Sequence, residues 1–243
     1  MSHNDRRGFL AATAGLGMVA LAPGVHLMQV AQAQTKRAAG EPASRLQRWG
    51  MLIDTTKCAA GCDACVKACA AENGINETVA DPRQASQWIR KIDIKDPKNG
   101  RQHSLPMMCQ HCAEPPCVDV CPTGASMKRA DGIVLVDRHI CIGCRYCMMA
   151  CPYKARSFVH QPLTRQNPEV PRGIGCVESC TLCVHRVDKG QKPACVEACP
   201  EQAMLFGDLE DPNSEIARRA ASVATTQVRA DLKLNTGVRY LGI

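Results

Sequence analysis

The sequence is poor in the residues that usually fill a protein core. Its 243 residues include only three Phe, three Tyr and two Trp. Because each aromatic side chain buries a large apolar area, a chain of this length with so few of them needs other material in its interior. Beyond the N-terminal stretch discussed below, no apolar run reaches the roughly 20 residues that span a bilayer. Neither an aromatic-rich core nor a membrane span is therefore expected.

Catalytic signatures are also missing from the sequence. No Ser-His-Asp set, phosphate-binding glycine loop or open metal site is recognisable. The net charge is +7, but no basic run and no basic patch interleaved with aromatic residues accompanies it. Nucleic acid is therefore not an expected partner. We expect a protein without catalytic residues of its own.

Cysteine is the residue that the chain has in abundance, with 17 copies. Sixteen of them form four runs of four, which we number in chain order. Run one is Cys58, Cys62, Cys65 and Cys69, run two is Cys109, Cys112, Cys117 and Cys121, run three is Cys141, Cys144, Cys147 and Cys151, and run four is Cys180, Cys183, Cys195 and Cys199. Runs two to four each end in Cys-Pro-x-x-Ala, whereas Ala70 follows the last cysteine of run one. This repeated spacing indicates four copies of one ligand motif.

The spacing of these runs suits iron–sulfur clusters. A 4Fe–4S cubane takes one thiolate at each of four irons, and a two-residue spacing lets three sulfurs of one loop reach three irons. In bacterial two-cluster ferredoxins the fourth cysteine of a run binds the neighbouring cluster. A proline biases the residue before it toward an extended backbone, which turns the chain after the fourth thiol. The four runs therefore predict four 4Fe–4S clusters.

The crossing of each fourth cysteine decides which runs form a pair. An Asp131-Gly132 turn and a strand at residues 133–136 join runs two and three into one unit, which leaves runs one and four for each other. We name each predicted ligand set after the run that supplies three of its cysteines. The run-one set is Cys58, Cys62, Cys65 and Cys199, the run-two set is Cys109, Cys112, Cys117 and Cys151, the run-three set is Cys141, Cys144, Cys147 and Cys121, and the run-four set is Cys180, Cys183, Cys195 and Cys69. The rival pairing, one with two and three with four, would break up the unit of runs two and three.

Other uses of cysteine fit this pattern less well. A structural zinc takes four ligands, usually as two pairs, and disulfides require no repeated spacing. Run one matches the Cys-x3-Cys-x2-Cys signature of radical S-adenosylmethionine enzymes. That family usually has an aromatic residue where Ala64 stands, and no strand–helix alternation here predicts its barrel.

Several residues near the runs also need an interpretation. Cys176 is expected to be a small buried apolar residue, with a ligand role as the alternative. His111, between two cysteines of run two, is expected to be a loop or hydrogen-bonding residue and not an iron ligand. Four basic residues lie close to cysteines and are candidates for tuning cluster potentials, with solvated charges as the alternative: Arg145, Lys154, Arg156 and Arg186.

The first 33 residues have the features of an export signal. Residues 5–10 (DRRGFL) resemble the twin-arginine motif, an apolar stretch covers residues 9–22, and residues 31–33 (AQA) offer a cleavage site. Pro23, His26 and Gln29 interrupt the apolar run beyond residue 22, which argues against a membrane anchor. The twin-arginine route moves folded proteins, so it suits a cofactor inserted before export. We expect the mature protein in the periplasm.

The runs and their surroundings resemble a known family. Together with "CQHCAEPPCVDVCPTGA", "DGIVLVDRHICIGCRYCMMACPY" and "PACVEACPEQAMLFGDLEDPNSEI", they are similar over residues 48–220 to the four-cluster ferredoxin-type subunits of the dimethyl-sulfoxide-reductase group. Exported soluble members are the most similar, the DsrO type first and the NrfC type second. The resemblance implies an α+β fold of two nested ferredoxin-like modules, loop-rich and organised by its clusters.

The same resemblance implies a function and its partners. It predicts a non-catalytic subunit that relays electrons between a membrane-embedded, quinone-interacting subunit of the NrfD type and another redox subunit such as a cytochrome c. The complex would serve respiration or sulfur metabolism. The alternatives are an NrfC-like carrier for nitrite reduction and the iron–sulfur subunit of a molybdopterin oxidoreductase. The subunit itself would be peripheral to the membrane, held there by its partners.

These inferences give an expected domain organisation. Residues 1–33 form the signal and residues 34–47 a linker. The four-cluster domain covers residues 48–212, with runs two and three as an inner module at 105–160 and runs one and four as an outer module. A C-terminal helix and tail are expected over residues 213–243.

Overall fold

The structure is a computed structural model that describes residues 17–22, 25–29, 41–75, 79, 81–98, 100–164 and 166–243. The chain divides into two compact units, Met1–Ala38 and Ala39–Ile243. In the first unit, strands β1 (Gly17–Ala22) and β2 (Val25–Gln29) pair antiparallel. The twin-arginine motif and the cleavage site lie outside the described residues, so the export signal stays a prediction. Among the helices of the described segments, none has both the length and the apolar character needed to cross a membrane.

The second unit contains a three-stranded sheet. Its central strand is β3 (Trp49–Asp54), which pairs antiparallel with β10 (Met204–Asp208) and parallel with β11 (Val238–Leu241). Met51 and Ile53 of the central strand are fully buried. Because β3 precedes run one and β10 follows run four, this sheet brings the two ends of the cysteine-bearing segment together.

Antiparallel strand pairs separate successive cysteine runs. Strands β4 (Ile89–Lys95) and β5 (Gln102–Met108) lie between runs one and two, and β6 (Ser126–Lys128) and β7 (Val134–Val136) lie between runs two and three. Strands β8 (Arg156–Phe158) and β9 (Val177–Ser179) lie between runs three and four. The strand predicted before run three is therefore confirmed as β7.

Short helices carry the third cysteine of each run. The helices are α1 (Ala64–Glu72), α2 (Pro116–Asp119), α3 (Tyr146–Ala150), α4 (Val184–Val187), α5 (Ala194–Glu197) and α6 (Glu215–Ser222), with 3-10 turns at Pro82–Gln84 and Ala230–Leu232. Helices α1, α2, α3 and α5 each begin one residue before a third cysteine.

The proline after the fourth cysteine decides where these helices end. Helices α2, α3 and α5 end before the fourth cysteine of their run, whereas α1, in which Ala70 replaces the proline, continues to Glu72. A proline disfavours helical geometry at the residue before it and supplies no backbone N–H. Cys151, which precedes Pro152, accordingly has an extended backbone with φ −74° and ψ 112°.

The C-terminal segment is more structured than the predicted helix and tail. Helix α6 is present, and the Ser214 hydroxyl caps it by accepting a hydrogen bond from the Ala217 N–H at 3.1 Å. The chain then returns as β11, whose Tyr240 is fully buried. The Tyr240 hydroxyl donates to the Pro106 carbonyl oxygen at 3.0 Å. The final strand thereby joins the sheet to the segment that leads into run two.

Cysteines supply much of the interior that aromatic residues do not. In the described part of the chain the buried aromatic residues are Trp88, Tyr153 and Tyr240. Eleven cysteines are buried beside them: Cys65, Cys69, Cys109, Cys112, Cys117, Cys147, Cys151, Cys176, Cys180, Cys183 and Cys195. The core is therefore built around sulfur, as the shortage of aromatic residues indicates.

Candidate iron–sulfur sites

One cavity collects cysteines from runs two and three. All four cysteines of the run-two set line it. Each of the four is buried. Pro152, Ala155 and Arg156, from the segment after run three, also line the cavity. The fourth cysteine of run three thus lies with the first three of run two.

A second cavity joins the two ends of the cysteine-bearing segment. The four cysteines of the run-one set line it. Cys65 is buried, whereas Cys58, Cys62 and Cys199 are only partly buried. The longer first spacing of run one contains Gly61, which turns the chain with a φ of 76° that a residue with a side chain rarely adopts. Lys91 also lines this cavity, and its Nζ lies 2.9 Å from the Cys58 Sγ.

The cysteines of the run-four set are all buried. Cys69 interacts electrostatically with Cys183, and Cys180 interacts with both Cys69 and Cys195. The Asn73 amide nitrogen lies 3.5 Å from the Cys69 Sγ. The last cysteine of run one therefore lies among the first three of run four.

The run-three set lies nearest the surface. Cys147 is buried and interacts electrostatically with Cys121, whereas Cys144 is exposed. Partial burial raises the pKa of the Cys121 thiol, but hydrogen bonds from the Ser126 N–H at 3.3 Å and from Thr123 and Ala125 outweigh it, so that its pKa is lowered. Cys141 and Cys144 lie in the loop that precedes α3.

Burial keeps most of these thiols protonated when nothing binds them. It raises the pKa of Cys69, Cys109 and Cys112 to about 12 and that of Cys65 to about 11. Desolvation is the main cause in each case because it penalises the thiolate. Iron displaces these protons when it binds. The sites therefore suit a positively charged group that converts buried thiols into thiolates.

Unpartnered polar atoms around the run-two cavity test which group fits it. The Arg156 Nη1 and the Tyr153 hydroxyl are buried without a hydrogen-bond partner, and both residues line the cavity. Leaving such groups unpaired costs roughly 1–3 kcal/mol each. Within the described residues, no three His, Cys, Asp or Glu side chains are arranged to hold a single metal ion. A larger group with acceptor sulfides fits these residues, and a mononuclear zinc does not.

His111 and Cys176 are both buried. The His111 Nδ1 accepts a hydrogen bond from the Val134 N–H at 3.0 Å. Burial, assisted by the charge of Arg156, lowers the pKa of His111 to about 3, so the ring is neutral at physiological pH. Cys176 is buried, and its thiol donates a hydrogen bond to the Arg138 carbonyl oxygen at 3.3 Å. Neither residue lines the two cysteine cavities.

Two basic side chains lie at the thiols, and they differ in whether the sequence could have revealed them. Arg156 lies five residues after the last cysteine of run three, so aligning the Cys-Pro-x-x-Ala repeats identifies its position. Lys91 lies in β4, far from any run in sequence, and no motif predicts its role. Its contact with Cys58 depends on how β4 packs on α1, which no local pattern reveals.

The chain is similar to known iron–sulfur proteins. A family model described as "4Fe-4S dicluster domain" matches residues 101–209. The Hdr-like menaquinol oxidoreductase iron–sulfur subunit 1 of Archaeoglobus fulgidus is 41% identical over 230 residues, covering 82% of this chain and 85% of the relative. The arsenate respiratory reductase iron–sulfur protein ArrB of a Shewanella species is 35% identical over 232 residues (80% and 96%), and NrfC of Escherichia coli is 41% identical over 173 residues (70% of each).

These relationships define the class of the protein. It is a ferredoxin-type iron–sulfur protein with mixed helices and strands that carries multiple 4Fe–4S clusters. The chain belongs to the iron–sulfur subunits of the dimethyl-sulfoxide-reductase group, which confirms the resemblance seen in its sequence. It is an electron-transfer subunit of an oxidoreductase complex.

Proposed function

We propose that the chain holds four 4Fe–4S clusters in the four nested ligand sets and conducts electrons between two partners. When bound, each cluster supplies reversible one-electron exchange. The chain supplies thiolate ligands, burial and a fixed order of sites. The convergence of Cys58, Cys62 and Cys65 with Cys199 on one cavity is the observation that carries this proposal, because the rival pairing of the runs would not bring them together.

Electrostatic interactions between neighbouring sets support a linear order. Cys65 of the run-one set interacts with Cys195 of the run-four set. Cys180 of that set interacts with Cys109 of the run-two set. Cys117 of the run-two set in turn interacts with Cys147 of the run-three set. The proposed order is therefore run-one, run-four, run-two and run-three set.

Exposure of the thiols supports the same order. The two middle sets consist of buried cysteines throughout, whereas the run-one and run-three sets each include partly buried or exposed ones. A conducting protein needs its outer sites near the surface and its inner sites shielded from water. The two end sets are therefore the proposed points of electron entry and exit.

Chemical analysis tests the number of clusters. Anaerobically purified mature protein should contain about sixteen irons and sixteen acid-labile sulfides per chain. A reproducible value near eight would show that one of the two nested pairs is not loaded.

An apolar surface around the run-three set supports a membrane-embedded partner. Ile142, Met149 and Ile174 are 67%, 65% and 56% exposed. The backbone at Gly143 packs so closely on Gly175 that a Cβ atom would clash with the Gly175 carbonyl oxygen, so the two loops lie against each other. Exposed apolar groups of this kind mark interaction sites. We assign this surface to the quinone-interacting NrfD-type subunit and the run-one end to a further redox subunit such as a cytochrome c.

Surface variants test this assignment. Ile142→Glu combined with Met149→Glu should abolish co-purification with the detergent-solubilised membrane subunit, because two charges would be buried in an apolar interface. Ile94→Glu, at a side chain 47% exposed on β4, is the matched control and should leave co-purification with the membrane subunit unchanged. Normal recovery of the complex with the double variant would refute the assignment.

We also propose that the protein is exported to the periplasm by the twin-arginine route, which the sequence of residues 5–10 supports. Arg6→Lys with Arg7→Lys should leave the full-length precursor in the cytoplasm. Unchanged amounts of periplasmic protein in that variant would remove this proposal.

A DsrO-type role in sulfur metabolism is the favoured physiological setting, and nitrite reduction is the alternative. The sequence resemblance to the DsrO type supports the first, and the 41% identity to NrfC supports the second. Identification of the proteins that co-purify from solubilised membranes separates them: a sulfite-reductase-linked complex supports the first, and a nitrite-reducing complex supports the second.

A further inference from the structure

The position five residues after the fourth cysteine differs between two otherwise matched cavities. Runs three and four end in CPYKAR and CPEQAM, so that Arg156 corresponds to Met204. Arg156 lines the run-two cavity and Met204 lines the run-one cavity. The proline and the alanine of each motif line the same cavities. One site therefore has a cation where its counterpart has a thioether.

Arg156 is a buried cation without a carboxylate partner among the described residues. It is only 6% exposed. Its Nη2 donates to the Cys117 Sγ at 3.1 Å and to the Ser126 hydroxyl at 2.8 Å, while Nη1 has no hydrogen-bond partner. An arginine stays charged in proteins, and a buried charge is costly unless an opposite charge compensates it. The surroundings of Arg156 therefore require a negative group.

The guanidinium group lies between two ligand sets. It interacts electrostatically with Cys109 and Cys117 of the run-two set and also with Cys147 of the run-three set. Its strand, β8, begins at Arg156 itself and pairs with β9, so the position of its backbone is set by the sheet. One positive charge thus faces the thiols of two neighbouring sites.

We propose that Arg156 is the shared counter-ion of the clusters in the run-two and run-three sets and raises the reduction potentials of both. The inference rests on the proposed ligand sets. An oxidised 4Fe–4S core with four thiolates carries a charge of about −2, and the electron supplied by a reductant makes it more negative. A nearby buried cation stabilises the more negative state. Hydrogen bonds to ligand sulfur act in the same direction.

Three substitutions at this position separate charge from packing. Arg156→Met reproduces the residue of the matched cavity, Arg156→Gln keeps hydrogen-bond donors without the charge, and Arg156→Lys keeps the charge. Redox titration of the purified holoprotein, followed by electron paramagnetic resonance, measures the four potentials. At a fixed potential the Met and Gln variants should lower the reduced-to-oxidised ratio of the run-two cluster about tenfold, or ~59 mV for one electron.

The run-one and run-four clusters provide internal references for this titration. The run-three cluster should shift in the same direction by a smaller amount, whereas the run-one and run-four clusters should not shift. Arg156→Lys should recover most of the wild-type potential. Single-ligand variants such as Cys199→Ala assign each signal to its set.

Arg145 is the matched surface control. It follows the ligand Cys144 directly, is exposed, and its guanidinium lies 3.9 Å from the centre of the Phe158 ring. Water screens an exposed charge, so Arg145→Met should change each ratio by less than about threefold. A shift as large as that of Arg156→Met would show that burial of the charge is not the cause.

Iron content separates failure of this inference from failure of the ligand assignment. If the Arg156→Gln protein contains four clusters and all four potentials are unchanged, Arg156 is not the counter-ion. Equal shifts in the Lys and Gln variants would also overturn the proposal, because they would assign the effect to packing. Should Arg156→Met not assemble, the comparison of Gln with Lys decides. Fewer than four clusters in the wild-type protein would instead refute the proposed function.

Discussion

The run-one and run-two cavities each present four cysteines, but in different surroundings. Each is lined by four cysteines and by a proline and an alanine from one repeated motif. The run-two cavity is lined by buried thiols and Arg156, whereas the run-one cavity is partly exposed and has Met204 and Lys91. The ligand motif therefore decides what can bind, and the surroundings decide how that group behaves.

Removal of the clusters should have the largest effect of all, because it should destabilise the fold around both cavities. Chelation of iron under oxidising conditions should abolish the cooperative thermal unfolding of residues 39–243, measured by circular dichroism. The physical reason is that buried cysteines form much of the core, and the free energy of binding a structural metal is folding free energy on the order of 10 kcal/mol. Iron should leave the run-one and run-three sets before the buried sets. Loss of all iron in a single phase would contradict the difference in exposure.

Substitution of the matched fourth cysteines should have the next largest effect. Cys199→Ala should convert the run-one cluster to a 3Fe–4S form, and Cys151→Ala should do the same to the run-two cluster, because a cubane that lacks one thiolate sheds the exposed iron. Electron paramagnetic resonance detects the product. Cys151→Ala should also lower the thermal stability more, since Cys151 is buried and Cys199 is not.

A double substitution tests the pairing of the runs directly. Cys199→Ala with Cys62→Ala should damage one cluster and leave three spectroscopically normal. Cys176→Ala is the control and should leave all four intact. Two separately damaged clusters in the double variant would show that Cys62 and Cys199 belong to different sets.

Loss of the Tyr240 hydroxyl should lower the thermal stability moderately. This hydroxyl bonds the strand that leads into run two. Tyr240→Phe leaves the buried Pro106 carbonyl oxygen without its donor and should cost about 1–2 kcal/mol. The unfolding midpoint should fall by about 2–6 °C. Tyr146→Phe, at an exposed ring, should leave the midpoint unchanged. Equal midpoints for the two variants would show that the Tyr240 contact contributes no stability.

Removal of the Lys91 charge should have the smallest effect, a modest fall in the reduction potential of the run-one cluster. Lys91→Met should lower the reduced-to-oxidised ratio of the run-one cluster by about threefold, since water screens a partly exposed charge. Potentiometric titration measures this change. Lys57→Met is the control, because Lys57 lines the same cavity but is exposed. A shift as large as that of Arg156→Met would remove the distinction between the two sites.

Local chemistry made much of the site predictable from sequence. The spacing of thiols within a loop and the proline after a fourth cysteine act over a few residues, so the runs, the ends of α2, α3 and α5 and the strand β7 follow from short segments. The crossing of Cys199 to run one was also predictable, because ferredoxin-type runs exchange their fourth ligand. The C-terminal strand β11 was not predictable, since its four residues pair with β3, at the opposite end of the domain.

The sequence by itself therefore indicated the candidate ligands and determined the class of group, 4Fe–4S clusters, that the chain carries. Only the tertiary structure decided which thiols are exposed, that Lys91 meets Cys58, and that Arg156 lies between two sets. Burial and charge contacts depend on segments far apart in the chain, such as β4 against run one and β8 against run two. The spacing of residues along a sequence carries no information about those distances, and they are what set the electrostatic surroundings of each site.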